Sequence, residues 1–192
     1  MKRRADALRR VLAVLDRLEI PYLVGGSLAS SAYGMSRTTM DADIVADIRR
    51  DQVDEFADQL KADFYAEPSM MKDAIDHGRS FNLIHLDTSF KIDIFPLQQD
   101  AYSKAQFARR SFRDLSSLDD EPIECSVATA EDTILNKLRW YRLGNEVSEQ
   151  QWNDLRGILK VSGSRLDLAY LNEWAPRLKV ADLLDRLLNE ER

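Results

Sequence analysis

The chain has 192 residues and a mass of 22.0 kDa; 44% of its residues are hydrophobic and 31% are charged. This composition excludes a disordered chain and is sufficient for one domain or for a core with a small appendage. The net charge of −6 excludes a basic nucleic-acid-binding tail, and the single cysteine, Cys125, excludes an intramolecular disulfide and a cysteine-based metal cluster. The longest stretch without a charged residue, 20–36, contains proline and glycine, so we expect no membrane span and a cytoplasmic protein.

The first two thirds of the chain mix strand and helix patterns. Apolar residues recur at helical spacing over 3–18, and Pro21 ends that pattern. The pattern then predicts strands at 22–24, 41–47, 64–66, 81–86, 90–95 and 123–127, and helices at 28–33, 51–62, 68–77 and 99–112. The strands at 81–86 and 90–95 are separated by three residues and therefore predict a hairpin, whereas 116–122 predicts a polar loop.

The last third of the chain is helical in pattern. Thr129 with Asp132, and Ser148 with Gln151, each resemble a capping box that opens a helix. Two more helices are predicted at 167–175 and 180–190, with Pro176 between them. The sequence therefore predicts an α/β (α+β) fold, in which a mixed sheet flanked by helices, residues 1–128, is followed by a helical subdomain, residues 129–192, packed on it.

Three aspartates occupy two of the predicted strands. Asp41 and Asp43 are two residues apart, so their side chains project from one face of a strand, and Lys91 and Asp93 share a face in the same way. If the two strands are neighbours in one sheet, three carboxylates come together. Two carboxylates about 6 Å apart repel by roughly 3 kcal/mol at an effective dielectric constant near 20. A divalent cation would relieve that repulsion, and oxygen ligands suit Mg²⁺ or Mn²⁺.

A glycine-rich turn precedes the first pair of aspartates. Gly25-Gly26-Ser27 lies between a predicted strand and a predicted helix, where free backbone N–H groups and the helix dipole attract anions. Glycine permits close approach of the backbone to a phosphate, and Ser27 can cap the helix or bond a phosphate oxygen. The same residues also fit a plain tight turn. The short distance along the chain to Asp41 favours a triphosphate site between the turn and the aspartate pair.

Taken in order along the chain, these motifs resemble a known family. Gly25-Gly26-Ser27, then Arg37-x-Thr39-x-Asp41-x-Asp43, then Lys91-x-Asp93 is similar to the pattern of nucleotidyltransferases of the polymerase-β superfamily. The similarity is greatest to the minimal bacterial branch that includes AbiE-type abortive-infection toxins, which also has a downstream helix like that at 131–137. The resemblance covers roughly residues 20–160 and implies a nucleotidyltransferase-type mixed sheet. Ala42 departs from the pattern, because a larger apolar residue is usual between the two acids.

The resemblance implies transfer of a nucleoside monophosphate from an NTP to a hydroxyl acceptor, with release of pyrophosphate. Asp41, Asp43 and Asp93 are then the catalytic and metal-binding residues for Mg²⁺ or Mn²⁺, and Asp93 also helps to activate the acceptor hydroxyl. The residues that the resemblance assigns to the nucleotide are Gly25, Gly26, Ser27, Arg37, Lys91 and Lys137.

Several of these side chains have a second interpretation. Arg37 fits a solvated turn as well as a phosphate clamp, and Lys91 fits neutralisation of the carboxylates as well as a phosphate contact. Lys137 lies off the apolar stripe of its helix, which by itself predicts a solvated position. For the remaining candidates, structural roles are favoured: Asp132 as a cap, Trp140 and Tyr141 as packing aromatics, and Arg109, Arg110 and Arg113 as exposed helix residues rather than the lining of an acceptor groove.

The partners follow from the resemblance and stay broad. The predicted substrate is an NTP, the acceptor is RNA (tRNA among the candidates), a protein hydroxyl or a small molecule, and a cognate antitoxin is a candidate partner. The sequence does not determine the oligomeric state. Two other functions stay open: a nucleotide-binding module of a two-component system that lacks turnover, and an interaction protein whose helical tail mediates assembly.

Overall fold

The computed structural model describes residues 4–34, 39, 41–115 and 123–190. The predicted polar loop at 116–122 and Arg37 lie outside these residues. The helices are α1 (Arg4–Arg17), α2 (Gly26–Tyr33), α3 (Val53–Leu60), α4 (Pro68–Asp76), α5 (Ala101–Arg109), α6 (Ala130–Leu143), α7 (Glu149–Ser162), α8 (Leu168–Arg177) and α9 (Ala181–Glu190). The strands are β1 (Tyr22–Val24), β2 (Asp41–Ala46), β3 (Phe64–Tyr65), β4 (Phe81–His85), β5 (Lys91–Pro96), β6 (Ser111–Asp114) and β7 (Glu124–Val127).

Within the described residues the strands form one mixed sheet in the order β3-β4-β5-β2-β1-β7-β6. The β2–β5 and β1–β7 pairs are parallel, and the others are antiparallel. The predicted hairpin of β4 and β5 is confirmed, with Leu83 opposite Ile92. The fold class predicted from the sequence is therefore confirmed: a mixed sheet flanked by helices, followed by a helical part.

Alternation of buried and half-buried residues gives β2 and β5 their two faces. Along β2 and β5 every second residue is buried, and the apolar side chains Ala42, Ile44, Ile92 and Ile94 enter the core. This core also contains the apolar faces of α1 and α3, including Leu8 and Phe56. The aspartates of β2 and β5 consequently project from the opposite face, as the spacing predicts.

A second hydrophobic cluster fills the helical part. It joins α6, α7, α8 and α9 through buried residues such as Leu135, Leu155, Leu171 and Leu184. Tyr102 of α5 belongs to this cluster, and Tyr33 of α2 packs against both clusters, so the two parts share a continuous interior. The division at residue 128 stays a prediction. No described helix is long and apolar enough to cross a membrane.

Three predicted elements need correction. The helix predicted over 99–112 ends at Arg109, and Ser111–Asp114 instead pairs with β7 as an antiparallel strand. Pro176 does not separate two helices, because it lies within the last turn of α8. The strand predicted over 64–66 is reduced to two residues. The two predicted N-caps are confirmed, since Thr129 accepts a hydrogen bond from the Asp132 N–H and Ser148 accepts one from the Gln151 N–H.

Candidate active site

The turn after β1 is shaped around Asp43. Gly26 has a φ of +56°, a conformation that residues with a Cβ rarely adopt. A Cβ at this position would lie 1.8 Å from Oδ2 of Asp43, so the carboxylate occupies the space that any other residue would fill. The Gly25 N–H also donates a hydrogen bond of 2.8 Å to the Asp43 carbonyl oxygen. The start of α2 and the aspartate strand are thus held in direct contact.

The register of β2 and β5 arranges the acidic side chains. Asp41 lies opposite Lys91, and Asp43 lies opposite Asp93 on the neighbouring parallel strand. Thr39 orients the first carboxylate, because its hydroxyl donates a hydrogen bond of 2.9 Å to Oδ1 of Asp41. The three carboxylates therefore lie on one face of two adjacent strands.

Electrostatic repulsion is concentrated at Asp43. Burial, together with the charges of Asp41 and Asp93, raises its pKa to about 6, although Lys91 and Lys137 act in the opposite direction. The Lys91 Nζ lies 2.7 Å from Oδ2 of Asp93, and this hydrogen bond raises the pKa of Lys91. Lys91 thus neutralises Asp93, whose negative charge otherwise destabilises the ionised form of Asp43.

A cavity of about 490 Å³ opens between the turn, the aspartate strand and α6. This volume is within the range of small-molecule sites. The predicted residues that line it are Gly25, Gly26, Ser27, Asp41, Asp43 and Lys137. Asp93 and Lys91 belong to the adjoining strand and not to this lining. The structure consequently brings six of the nine predicted site residues into one cavity and places two beside it.

Lys137 corrects a prediction made from its helix alone. Its side chain is buried rather than solvated, and its Nζ lies 2.8 Å from Oδ2 of Asp154 on α7. The ion pair compensates the charge of the buried ammonium group, and the position on the cavity wall keeps its charge close enough to lower the pKa of Asp43. Lys137 is therefore placed where it can balance negative charge in the cavity.

The carboxylates of Asp41, Asp43 and Asp93 are suitable ligands for a divalent cation, but only two of them share the cavity. Asp41 and Asp43 share the cavity, and like-charge repulsion at Asp43 is the condition that a cation would relieve. In the part of the chain that the structure describes, however, no three His, Cys, Asp or Glu side chains are grouped closely enough to hold a metal ion. The pairing of Asp93 with Lys91 is consistent with this finding. The fit thus extends to the two carboxylates in the cavity, with the third one strand away.

The role predicted for Trp140 also needs correction. Its side chain is 56% exposed and lines the cavity, whereas its neighbour Tyr141 is buried and packs against Trp152 as expected. Trp140 lies three residues after Lys137, so both side chains lie on the same side of α6. The three-residue spacing from Lys137 is the feature of the sequence that could have indicated Trp140 as a second cavity residue on α6.

Asp132 and Arg109 belong to a different cluster at the start of α6. The Asp132 carboxylate is fully buried and accepts hydrogen bonds of 2.8 Å from the hydroxyls of Tyr170 and Thr129. Arg109 lies 3.3 Å from Glu131, so it ties α5 to α6 instead of lining an acceptor groove. These contacts support the structural interpretation of Asp132.

Comparison with known proteins supports the fold. No protein-family model and no curated protein matches the chain. Among solved structures, ANT(2'')-Ia in complex with adenylyl-2''-tobramycin is 14% identical with a TM-score of 0.53, and the match covers 90% of this chain and 95% of that one. An antigenic nucleotidyltransferase-like protein from Paracoccidioides brasiliensis is 18% identical with a TM-score of 0.51, covering 92% and 94%. The lincosamide antibiotic adenylyltransferase LnuA, bound to lincomycin, is 13% identical with a TM-score of 0.50, covering 80% and 95%.

At these identities the likeness defines the fold, which is that of nucleotidyltransferases. It extends over most of this chain and nearly all of the three matched chains. The predicted placement in the AbiE-type branch stays a prediction.

Proposed function

We propose that the protein is a metal-dependent nucleotidyltransferase that moves a nucleoside monophosphate from an NTP to a hydroxyl acceptor. The observation that carries this proposal is the register of β2 and β5, which places Asp93 opposite Asp43. Asp43 in turn lies against the Gly25–Ser27 turn. The nucleotidyltransferase fold and the adjoining cavity support it.

In the proposed reaction the acceptor oxygen forms a bond to the α-phosphorus of the NTP, and the bond from that phosphorus to the β-phosphate oxygen breaks. Pyrophosphate leaves with the electron pair, and the hydroxyl proton passes to the Asp93 carboxylate and then to water. Mg²⁺ or Mn²⁺, held by Asp41 and Asp43, would stabilise the negative charge that develops in the transfer.

The residues of the chain divide this work between them. The turn of Gly25, Gly26 and Ser27 binds the triphosphate through the start of α2, and Lys137 balances its charge from the cavity wall. Asp41 and Asp43 hold the cation, with Asp93 as the third carboxylate. Lys91 and Arg37 are proposed as further phosphate contacts.

The proposed reaction has one class of donor and several candidate classes of acceptor. We propose an NTP as donor, and RNA such as tRNA, a protein hydroxyl or a small molecule as acceptor. The structures of ANT(2'')-Ia with adenylyl-2''-tobramycin and of LnuA with lincomycin carry small molecules. The resemblance to AbiE-type toxins supports a toxin–antitoxin role in the cytoplasm, with a cognate antitoxin as partner.

One observation favours a second candidate function. Because the Lys91 ammonium group holds Asp93, the third carboxylate is already neutralised. A nucleotide-binding module without turnover needs only the turn, the cavity and the Asp41–Asp43 pair. Such a module would bind NTP with Mg²⁺ and release no pyrophosphate with any acceptor.

The test is to incubate the intact protein with labelled NTPs, Mg²⁺, and cell RNA, protein and small-molecule extracts, and to measure both pyrophosphate release and label transfer. We expect Asp41→Asn and Asp43→Asn each to lower transfer about a thousandfold. Asp47→Asn, an exposed aspartate directly after the same strand, is the matched control and should leave transfer unchanged. Transfer that survives both site variants contradicts the proposal, and NTP binding without pyrophosphate release supports the second candidate.

A further inference from the structure

The sheet carries an uncovered row of side chains that leads away from the carboxylates. Across β2, β5, β4 and β3, Asp41 lies opposite Lys91, Lys91 opposite Ile84, and Ile84 opposite Tyr65. Directly opposed residues project from the same face of a sheet. The face that holds the acidic group therefore continues without interruption to the sheet edge at β3.

Beyond β5 this face is apolar and open to solvent. Tyr65 is 54% exposed and Ile84 is 40% exposed, whereas their chain neighbours Phe64, Leu83 and His85 are buried on the other face. Leu86, which continues the ladder by donating its N–H to the Asp63 carbonyl oxygen, is 58% exposed. We call Tyr65, Ile84 and Leu86 the β4–β3 platform.

The charges beside the platform restrict what it can hold. The strand residues of β3 and β4 on this face are Tyr65, Asn82 and Ile84, and none of them is charged. The adjacent Lys91 forms an ion pair with Asp93. A polyanion would find no row of basic side chains among these strand residues, and the exposed carboxylates of Asp87, directly after Leu86, and Glu67, two residues after Tyr65, would repel it. The strand residues themselves offer a bound molecule apolar contact and no ion-pair partner.

The position of the platform complements that of the cavity. The cavity extends from the Gly25–Ser27 turn and α6 over the β2 aspartates to the carboxyl end of β5 at Phe95 and Pro96. The platform lies on β4 and β3, on the side of Asp93 that faces away from Asp43. In an in-line transfer the attacking and leaving oxygens lie on opposite sides of the phosphorus. A nucleotide in the cavity thus leaves the platform side for the attacking hydroxyl.

We propose that the β4–β3 platform binds the acceptor, and that the acceptor is a small uncharged hydroxyl compound with a ring or another flat apolar face. This inference rests on the proposed function. Asp93 lies opposite Asn82, two residues along the strand from the row of Lys91, Ile84 and Tyr65. With strands about 4.8 Å apart and a rise of about 3.4 Å per residue, Tyr65 lies about 12 Å diagonally across the sheet from Asp93. A compound about the size of an aryl glycoside reaches from Tyr65 to Asp93, with its ring on Tyr65 and its hydroxyl at the carboxylate.

The experiment measures binding without requiring catalysis. Phenyl β-D-glucopyranoside and methyl β-D-glucopyranoside are titrated into the intact protein by NMR, with and without Mg²⁺ and a non-hydrolysable ATP analogue. These probes carry the same hydroxyls and differ in the aryl ring. We expect the phenyl glucoside to bind about fivefold to tenfold more tightly than the methyl glucoside. Tyr65→Ala and Ile84→Ser should remove that preference, whereas Phe112→Ala, on the exposed face of β6 at the far sheet edge, should retain it.

Other outcomes overturn the inference or the proposed function separately. Failure of both glucosides to bind, or equal affinity for the two, contradicts the platform. Tyr65-dependent binding of a short oligoadenylate or of tobramycin, in preference to the glucosides, contradicts the uncharged class. The thermal shift caused by the ATP analogue should be the same in wild type, Tyr65→Ala and Phe112→Ala. If that shift is absent from the wild type while the aryl preference persists, the nucleotide function fails and the platform stands.

Discussion

Asp43, which is half-buried, and Asp132, which is fully buried, have the same ordinary pKa but opposite electrostatic surroundings. Burial raises the pKa of both carboxyl groups. At Asp132 the hydrogen bonds from Tyr170 and Thr129 and the charge of Arg109 oppose that rise. At Asp43 the next largest effects are the charges of Asp41 and Asp93, which raise the pKa further.

These opposing effects show that Asp132 is a structural carboxylate with compensating partners, whereas Asp43 is a carboxylate whose ionised form is destabilised by neighbouring negative charges. Asp132 is satisfied by groups from α6, α8 and α5, so its charge binds three helices to one another. At Asp43, binding of a proton or of a cation would relieve the repulsion and so stabilise the folded protein. The contrast predicts that removing the first carboxylate harms stability and removing the second improves it.

Replacement of Asp132 has the largest expected effect on this comparison. Asp132→Ala leaves the Tyr170 and Thr129 hydroxyls without their acceptor and removes a negative charge 3.8 Å from the Arg109 guanidinium, so we expect a loss of about 2 to 4 kcal/mol in the free energy of unfolding. Urea denaturation measures it. Asp182→Ala is the control, because Asp182 is exposed and pairs with Arg142 at the surface, where water and salt screen the pair and its loss costs little stability. Similar losses in the two variants would remove the distinction between a structural and a solvated aspartate.

A methyl group at Gly26 tests whether the position of the Asp43 carboxylate matters for activity, because Gly26 lies against it. Gly26→Ala forces a Cβ into the Asp43 carboxylate and strains a residue at a φ of +56°, so we expect nucleotidyl transfer to fall about a hundredfold. Gly163→Ala is the matched control, since its Cβ would meet nothing within 4 Å. Kinetics on both variants, with unfolding curves to confirm that they fold, provide the measurement. Wild-type activity in Gly26→Ala would show that the position of Asp43 is not critical.

Local pattern was sufficient to predict the parts of the site that lie on single elements. The i, i+2 spacing of Asp41 and Asp43 predicts a shared face, and the burial of Ala42 and Ile44 on the other face confirms it. The N-caps at Thr129 and Ser148 are equally local, and both are confirmed by the hydrogen bonds that their side chains accept from the N–H groups of Asp132 and Gln151. These features depend only on residues a few positions apart.

The features that sequence reasoning missed depend on residues far apart in the chain. The burial of Lys137 requires Asp154 on another helix, and the strand at Ser111–Asp114 exists because Glu124–Val127 pairs with it. The pairing of Arg109 with Glu131 likewise joins α5 to α6. Helical periodicity at one position does not indicate which other helix will cover it, so these contacts become visible only in the folded chain.

The pH dependence of stability provides the smallest and sharpest test of the repulsion at Asp43. Its pKa of about 6 in the folded protein lies above the ordinary value of 3.8, so the folded state binds the proton more tightly than the unfolded state. The destabilisation is therefore absent below pH about 4 and complete above pH about 6. Each pKa unit corresponds to about 1.4 kcal/mol, and an amide at this half-buried position retains part of the desolvation cost. We expect Asp43→Asn in metal-free buffer to gain about 1 to 2 kcal/mol over wild type at pH about 7.5.

Thermal melts of wild type, Asp43→Asn and Asp47→Asn between pH about 4.5 and 7.5, with EDTA or with Mg²⁺, measure this difference. With EDTA, the advantage of Asp43→Asn should shrink as the pH falls through the window, because the wild-type carboxyl group then becomes neutral. Added Mg²⁺ should stabilise wild type and Asp47→Asn but not Asp43→Asn, since only the first two retain the repulsion that a cation relieves. Parallel stability curves for wild type and Asp43→Asn would show that Asp43 is as well compensated as Asp132, and the contrast between the two aspartates would then fail.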